Sequence, residues 1–154
     1  MKKTRTKRKK KFKALMLDVD GVLTDGSVWW DGSDWRRKFS IQDGMGLKLL
    51  LKAGFTIGVI TGSRGEDIAQ RVSTLGLHFL RLGIDDKAAA FKEFLSEFKI
   101  QADDVMAIGD DIQDLGILSQ CGGAFTVPNA VPLVKRKVKR QTKCKGGEGA
   151  RSEE

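Results

Sequence analysis

The chain has 154 residues, 40% of them hydrophobic and 31% charged. This is enough for one domain with a buried core, and no apolar run approaches the ~20 residues of a membrane-spanning helix or forms a signal peptide. The formal charge of +8 is concentrated: residues 1–13 hold nine Lys/Arg and 135–145 hold seven, neither stretch has an acid, and taking those 16 from the 28 leaves 12 basic against 20 acidic residues.

In chain order, the first segment is the basic arm, 1–13. Such an arm could serve nucleic acid or an anionic membrane. No aromatic residues interleave with its charges, so the expectation is a disordered solubilising arm, with neither nucleic acid nor membrane as a partner. Residues 14–20 read as a buried strand and 21–26 as a loop. Two short aromatic or β-branched runs, 27–30 and 35–41, flank Asp31-Gly32-Ser33-Asp34, which is the chemistry of a β-hairpin turn. Asp43 is placed to cap a helix running to Ala53, and Gly54 to end it.

Residues 55–60 form a second buried strand that ends at Thr61-Gly62-Ser63. A helix is expected over 66–75 with Gly76 as its stop, then a short strand over 78–80. Phe91, Phe94, Leu95 and Phe98 share one face of a helix over 87–98. A fourth strand over 105–108, a helix over 112–119 and a fifth strand over 124–127 complete the order. Alternating strands and helices predict an α/β fold, a three-layer Rossmann-like parallel sheet with a small β-hairpin insertion after the first strand. The catalytic unit is expected over 14–140, followed by a flexible Gly-rich tail over 141–154. Cys121 and Cys144 show neither metal-ligand spacing nor a disulfide framework, which suits a reducing cytoplasm.

Acidic clusters follow two of these strands: Asp18-Val19-Asp20-Gly21, and Gly109-Asp110-Asp111 with Asp114. Carboxylates at the carboxyl ends of parallel strands point into the crevice where open α/β sheets bind ligands. Crowded like charges need a compensating hard cation, and Mg²⁺ fits. Asp18 and Asp110 are expected as its carboxylate ligands and the Asp20 backbone carbonyl as a third. Asp111 and Asp114 support those ligands from behind, or Asp114 caps the next helix. Asp18 and Asp20 lie two apart in an extended segment and face the same way, so Asp18 can attack phosphorus while Asp20 moves the proton.

Thr61 and Gly62 can donate a hydroxyl and an unhindered N–H to a phosphoryl oxygen. Lys87 opens a helix, where its cation can stabilise both Asp18 and the transferred phosphoryl group. Each of these pieces would be weak alone. Their order along the chain, each at the terminus the chemistry requires, points to phosphoryl transfer. The single histidine, His78, leaves little material for a Ser-His-Asp or zinc-dependent site and is expected to be structural.

These motifs resemble the haloacid-dehalogenase-like phosphohydrolases, over residues 12–150. Residues 18–26, Phe39-Ser40-Ile41-Gln42-Asp43-Gly44-Met45-Gly46 and Thr74-Leu75-Gly76 resemble the 3-deoxy-D-manno-octulosonate 8-phosphate phosphatase branch. The resemblance implies a β-hairpin with no large cap domain, a homotetramer whose neighbours close each other's sites, and a phosphorylated sugar-acid substrate. It implies Asp18 as nucleophile, Asp20 as general acid/base, phosphate held by Thr61, Gly62 and Lys87, and Mg²⁺ held by Asp18, Asp20 and Asp110. It places Ser40, Asp43, Gly44, Lys48 and Arg71 near the sugar acid; for Lys48 and Arg71 a solvated helix face is the competing reading. Residues 146–150 resemble a Gly-Gly-x-Gly-Ala tail that reaches a neighbouring site, with Glu148 where relatives often carry Arg and the chain stopping at Glu154 where they continue into a helix.

Three alternatives stay open on sequence. A nine-carbon nonulosonate 9-phosphate would use the same machinery. A phospho-accepting signalling domain also groups acids, a Thr and a Lys around Mg²⁺, but lacks a second carboxylate placed like Asp20. A non-catalytic assembly domain would have no use for the four motifs together.

Overall fold

The structure is a computed structural model that describes residues 12–149. The basic arm therefore lies outside the described residues except for Phe12 and Lys13. Strand β1 (Ala14–Leu17) is fully buried and sits at the centre of a six-stranded sheet. It is flanked by β4 (Thr56–Ile60) and β6 (Val105–Ile108), with β5 (Phe79–Arg81) outside β4, and β7 (Gly123–Thr126) and β8 (Arg140–Gln141) outside β6. Every neighbouring pair is parallel. A parallel strand buried on both faces must be apolar throughout, and Ala-Leu-Met-Leu and Val-Met-Ala-Ile are.

Chain direction fixes the layers. From β1 the chain steps outward through α1 (Ile41–Lys52) to β4 and through α2 (Glu66–Leu75) to β5. It then reverses across the sheet through α3 (Lys87–Phe98) to β6, continues through α4 (Leu115–Leu118) to β7 and through α5 (Pro132–Lys137) to β8. Right-handed crossovers put α1 and α2 on one face and α3, α4 and α5 on the other. The reversal also makes a topological switch between β1 and β6, which opens a crevice beyond their carboxyl ends. Phe91 and Phe94 of α3 are fully buried, and Phe94 meets Phe79 edge-on at 5.4 Å. His78 is structural: its Nδ1 accepts from the Ile57 N–H at 3.0 Å.

The hairpin forms as the turn chemistry predicts. Strands β2 (Trp29–Trp30) and β3 (Trp35–Arg36) pair antiparallel, and Asp31 Oδ1 accepts from the backbone N–H groups of Ser33 and Asp34, both at 2.8 Å. Trp29, Trp30 and Trp35 are left about half exposed.

One reading is corrected. Ser40, not Asp43, caps α1: Ser40 Oγ accepts from the Asp43 N–H at 3.2 Å, and Asp43 lies buried in the first turn. A serine three residues before a carboxylate is the better cap because its short hydroxyl sits outside the first turn. The basic 135–145 stretch supplies the second half of α5 and the edge strand β8, a sixth strand beyond the five expected. Its ladder continues one residue further, with the Thr142 N–H donating to the Thr126 carbonyl at 2.9 Å, and the Arg140 guanidinium lies 5.5 Å over the Phe125 ring.

Candidate active site

The loop after β1 is wound tightly because Val22, Leu23 and Thr24 all donate backbone N–H groups to the Val19 carbonyl. Val19 and Val22 are fully buried and pin the loop from beneath. Gly21 has φ of 83°, and a Cβ there would strike the Asp110 carboxylate, so only glycine lets the two acidic segments approach. The resulting crevice has a volume of about 390 Å³. Asp18, Asp20, Gly21, Thr61, Gly62, Ser63, Asp85, Lys87, Asp110, Asp111 and Gln113 line it, together with Gly26.

Lys87 is the hub of the crevice floor. Its ammonium donates to Asp18 Oδ1 at 2.8 Å and to Asp114 Oδ1 at 2.7 Å, and its side chain is only 3% exposed. Burial alone would lower its affinity for the proton, but the charges of Asp18 and Asp114 and its hydrogen bonds to both hold it above the ordinary lysine range. Asp114 Oδ2 accepts from the backbone N–H groups of Asp110 at 2.9 Å and Asp111 at 3.1 Å. Asp114 thus orients the Asp110 segment, while Asp111 caps the turn Ile112–Asp114. Across the crevice Thr61 is buried, and its Oγ1 accepts from the Ser63 N–H at 3.1 Å, which leaves its hydroxyl proton to donate elsewhere.

Oxygens of Asp18, Asp110 and Asp114 lie within 4.8 Å of one another. Asp110 Oδ1 is buried and has no hydrogen-bond partner among the described residues. Burial, then the charges of Asp18 and Asp114, push the Asp110 carboxyl up to about 8. Burial and the Asp114 charge raise Asp18 to about 6, against the pull of Lys87. An all-oxygen donor set that is short of positive charge fits a hard divalent cation. Because Asp114 spends both oxygens on Lys87 and backbone, Asp18 and Asp110 are the carboxylates that could ligate such a cation.

Both acids are raised, so between their unfolded value near 3.8 and about 8 the folded protein binds more protons than the unfolded chain. Stability then falls as pH rises through that window. In chelator, the Tm is expected to drop by about 5 °C between pH 5 and pH 8, and divalent metal at pH 8 should restore it. A level or rising Tm in chelator would contradict the electrostatic account.

The remaining expected residues do not line the crevice. Ser40, Asp43, Gly44 and Arg71 gather around a small apolar pocket with Leu23, Phe39, Leu47 and Leu75, and Arg71 Nη2 donates to the Ser40 carbonyl at 2.9 Å. Lys48 is exposed on α1. Asp20, which does line the crevice, has its carboxylate against Arg37 and Ser63, at 2.6 and 2.5 Å. Sequence reading overlooked Arg37, Ser63 and Asn129. Asn129 Nδ2 donates to the Gly21 carbonyl and its Oδ1 accepts from the Gly146 N–H, both at 2.9 Å. The Gly147 N–H reaches the Val22 carbonyl at 3.2 Å. Gly146 and Gly147 of the tail therefore lie on this chain's own loop. A Cβ at Gly146 would collide with the Gly21 carbonyl, which is the reason for glycine there. Only the Thr61-Gly62-Ser63 tripeptide offered a signal for any of the three, through its serine.

Residues 70–150 match the haloacid dehalogenase-like hydrolase family. The chain is 35% identical over 140 residues to 3-deoxy-D-manno-octulosonate 8-phosphate phosphatase of Yersinia pestis, covering 90% of this chain and 75% of that protein. It superposes with a TM-score of 0.90 on the structure of a phosphatase of the same description from Vibrio cholerae, at 32% identity over 94% of this chain and 81% of that one. The Moraxella catarrhalis phosphatase, solved in complex with magnesium ion, phosphate ion and 3-deoxy-D-manno-octulosonate, gives a TM-score of 0.89 at 31% identity, covering 94% and 83%. With its acidic crevice on a six-stranded parallel sheet and a hairpin after the first strand, the chain belongs to the haloacid dehalogenase-like hydrolases and is a phosphatase of the 3-deoxy-D-manno-octulosonate 8-phosphate phosphatase branch.

Proposed function

We propose that the chain is a Mg²⁺-dependent phosphomonoesterase acting on a phosphorylated 3-deoxy-ulosonate. The substrate is 3-deoxy-D-manno-octulosonate 8-phosphate, and the products are free sugar acid and phosphate for lipopolysaccharide precursor synthesis. The observation that carries this reading is the seat of Asp18, which lies between the Lys87 ammonium at 2.8 Å and the metal-ready Asp110 carboxylate. The likeness to a relative solved with magnesium, phosphate and the sugar acid supports the substrate class.

Asp18 attacks phosphorus, and the bond from phosphorus to the sugar oxygen breaks. Asp20 gives that oxygen its proton, which leaves an aspartyl-phosphate on Asp18. Asp20 then takes a proton from water as the water oxygen attacks phosphorus, and phosphate leaves Asp18. Thr61 and Gly62 hold the phosphoryl oxygens, and Lys87 offsets charge on both Asp18 and the phosphoryl group. Mg²⁺, held by Asp18, Asp110 and the Asp20 backbone carbonyl, would supply further charge neutralisation at the phosphoryl oxygens.

The half-exposed Trp29, Trp30 and Trp35, and the exposed Ile41, Met45 and Leu49 of α1, support a hairpin that packs on a neighbouring copy in a homotetramer. Ser40, Asp43, Gly44, Lys48 and Arg71 are assigned to the sugar-acid side of the site, with the 14–140 unit carrying the chemistry. Among the described residues, no helix is long and apolar enough to cross a membrane, and a cytoplasmic enzyme is the setting proposed.

Phosphate release from a panel of phosphorylated sugar acids, with and without Mg²⁺, tests the reading. The highest kcat/KM is expected for the eight-carbon 8-phosphate, and chelator should remove it. A preference for the nine-carbon 9-phosphate would move the substrate assignment. Stable phosphorylation of Asp18 without turnover would replace the enzyme reading with a signalling one.

A further inference from the structure

The Asp20 carboxylate is gripped by groups that phosphoryl chemistry does not itself require. Arg37 Nε donates to its Oδ1 at 2.6 Å, and Ser63 Oγ donates to its Oδ2 at 2.5 Å. The same guanidinium continues to the first turn of α2, where Nη1 meets Asp67 Oδ1 at 3.1 Å. The Arg37 side chain is 6% exposed and that of Asp67 11%. This pair is therefore unlike a solvated surface ion pair, which would fix nothing. Gly65 reserves the space, since a Cβ there would collide with both Arg37 Nη1 and Asp67 Oδ1. Arg37 directly follows β3, so the hairpin is the element that delivers the guanidinium.

We propose that Arg37 is a positioning residue for Asp20: carried by the hairpin and anchored on α2 by Asp67, it fixes the direction from which Asp20 passes its proton to the leaving oxygen. The proposal rests on the phosphatase reading above. A carboxylate turns about two side-chain bonds, and proton transfer requires it within about 3 Å of the leaving oxygen on a suitable line. Donors on both oxygens select one orientation. The planar fork of arginine can hold two carboxylates at a fixed angle, whereas a lysine ammonium offers a point charge. The hairpin, a substrate-side insertion, thereby acquires a mechanical link to the proton-transfer residue.

The leaving group supplies a readout that a purely structural role would not move. When the bond from phosphorus to an alkyl oxygen breaks, that oxygen needs the Asp20 proton. A p-nitrophenolate leaves without one. The value of kcat/KM covers the steps through phosphoryl transfer, so hydrolysis of the aspartyl-phosphate, common to both esters, drops out of the comparison.

The experiment measures kcat/KM of the full chain with Mg²⁺ for 3-deoxy-D-manno-octulosonate 8-phosphate and for p-nitrophenyl phosphate. Arg37→Ala is expected to lose at least about tenfold more on the alkyl ester than on the aryl ester, with Arg37→Lys intermediate. Equal losses on the two esters, or no loss on either, overturn the proposal. Three-bond NMR couplings of the Asp20 side chain provide a test without turnover. They should report one rotamer in the wild type and averaging in Arg37→Ala; averaging in the wild type, or one rotamer in both, overturns it. Should the wild type hydrolyse neither ester, the phosphatase reading falls, and the couplings alone decide whether Arg37 positions Asp20.

Discussion

Asp18→Asn is expected to lower kcat for the sugar phosphate by at least about 10⁴-fold while leaving the folded protein intact or more stable in chelator. The amide is nearly the shape of the carboxylate, and its oxygen can still accept from Lys87, which now sits 2.8 Å from Asp18 Oδ1. It cannot form an acyl phosphate, so the double displacement has no first step. The stability half of the expectation comes from the neighbours. Asp18 is 8% exposed, and burial together with the Asp114 charge already raises its affinity for a proton. Removing a buried like charge relieves Asp110, whose own carboxyl is pushed up in part by Asp18. Steady-state phosphate release and thermal unfolding in chelator at pH 8 check both halves. Turnover close to wild type would remove Asp18 as nucleophile. A large loss of Tm would mean that its charge is a structural necessity rather than a functional cost.

The residues legible in the sequence were those whose role is set by local chain chemistry. The buried strands were readable because a parallel strand covered on both faces has to be apolar along its length. The hairpin was readable because Asp31 and Gly32 dictate a turn over four residues. The helix Lys87–Phe98 emerged with both its ends and its buried Phe91 and Phe94 as expected. The clustering of Asp18, Lys87 and Asp110 followed from each residue lying at the end of an element that the parallel topology gathers at one edge.

What stayed hidden depends on partners far along the chain. Asp20 meets Arg37 17 residues away and Ser63 43 away, and nothing in either local sequence announces the pairing. Asn129 reaches the Gly21 carbonyl across 108 residues. Strand β8 is two exposed residues with basic neighbours, and only its pairing with Phe125 and Thr126 makes it a strand. The exchange of roles between Ser40 and Asp43 has a different origin. Both residue types cap helices well, and the choice is settled by a one-turn difference in where the chain leaves its extended conformation, Ser40 having ψ of 133°.

Lys87→Met tests the other half of the electrostatic design. The substitution keeps an unbranched side chain of similar reach at the first position of α3 but removes the ammonium that meets both Asp18 and Asp114. Two carboxylates on the crevice floor would then face each other without a cation, and the expected loss is about 3–5 kcal/mol at pH 8 in chelator. The sign of the pH dependence follows from which form is penalised. Without the ammonium Asp18, already raised by burial, holds its proton more tightly still in the folded state, so the variant's deficit should shrink as pH falls toward 5. Divalent metal should recover part of the lost stability, because a second source of positive charge enters the same cluster. It should not recover turnover, which is expected to fall by at least about 10²-fold even at saturating metal, since the cation that faces the transferred phosphoryl group has gone. Denaturant unfolding at pH 5 and pH 8, with and without Mg²⁺, separates these contributions. A variant as stable as wild type at both pH values would show that Asp18 and Asp114 do not depend on Lys87. A deficit that grows on acidification would reverse the sign of the argument and place the destabilising charge elsewhere.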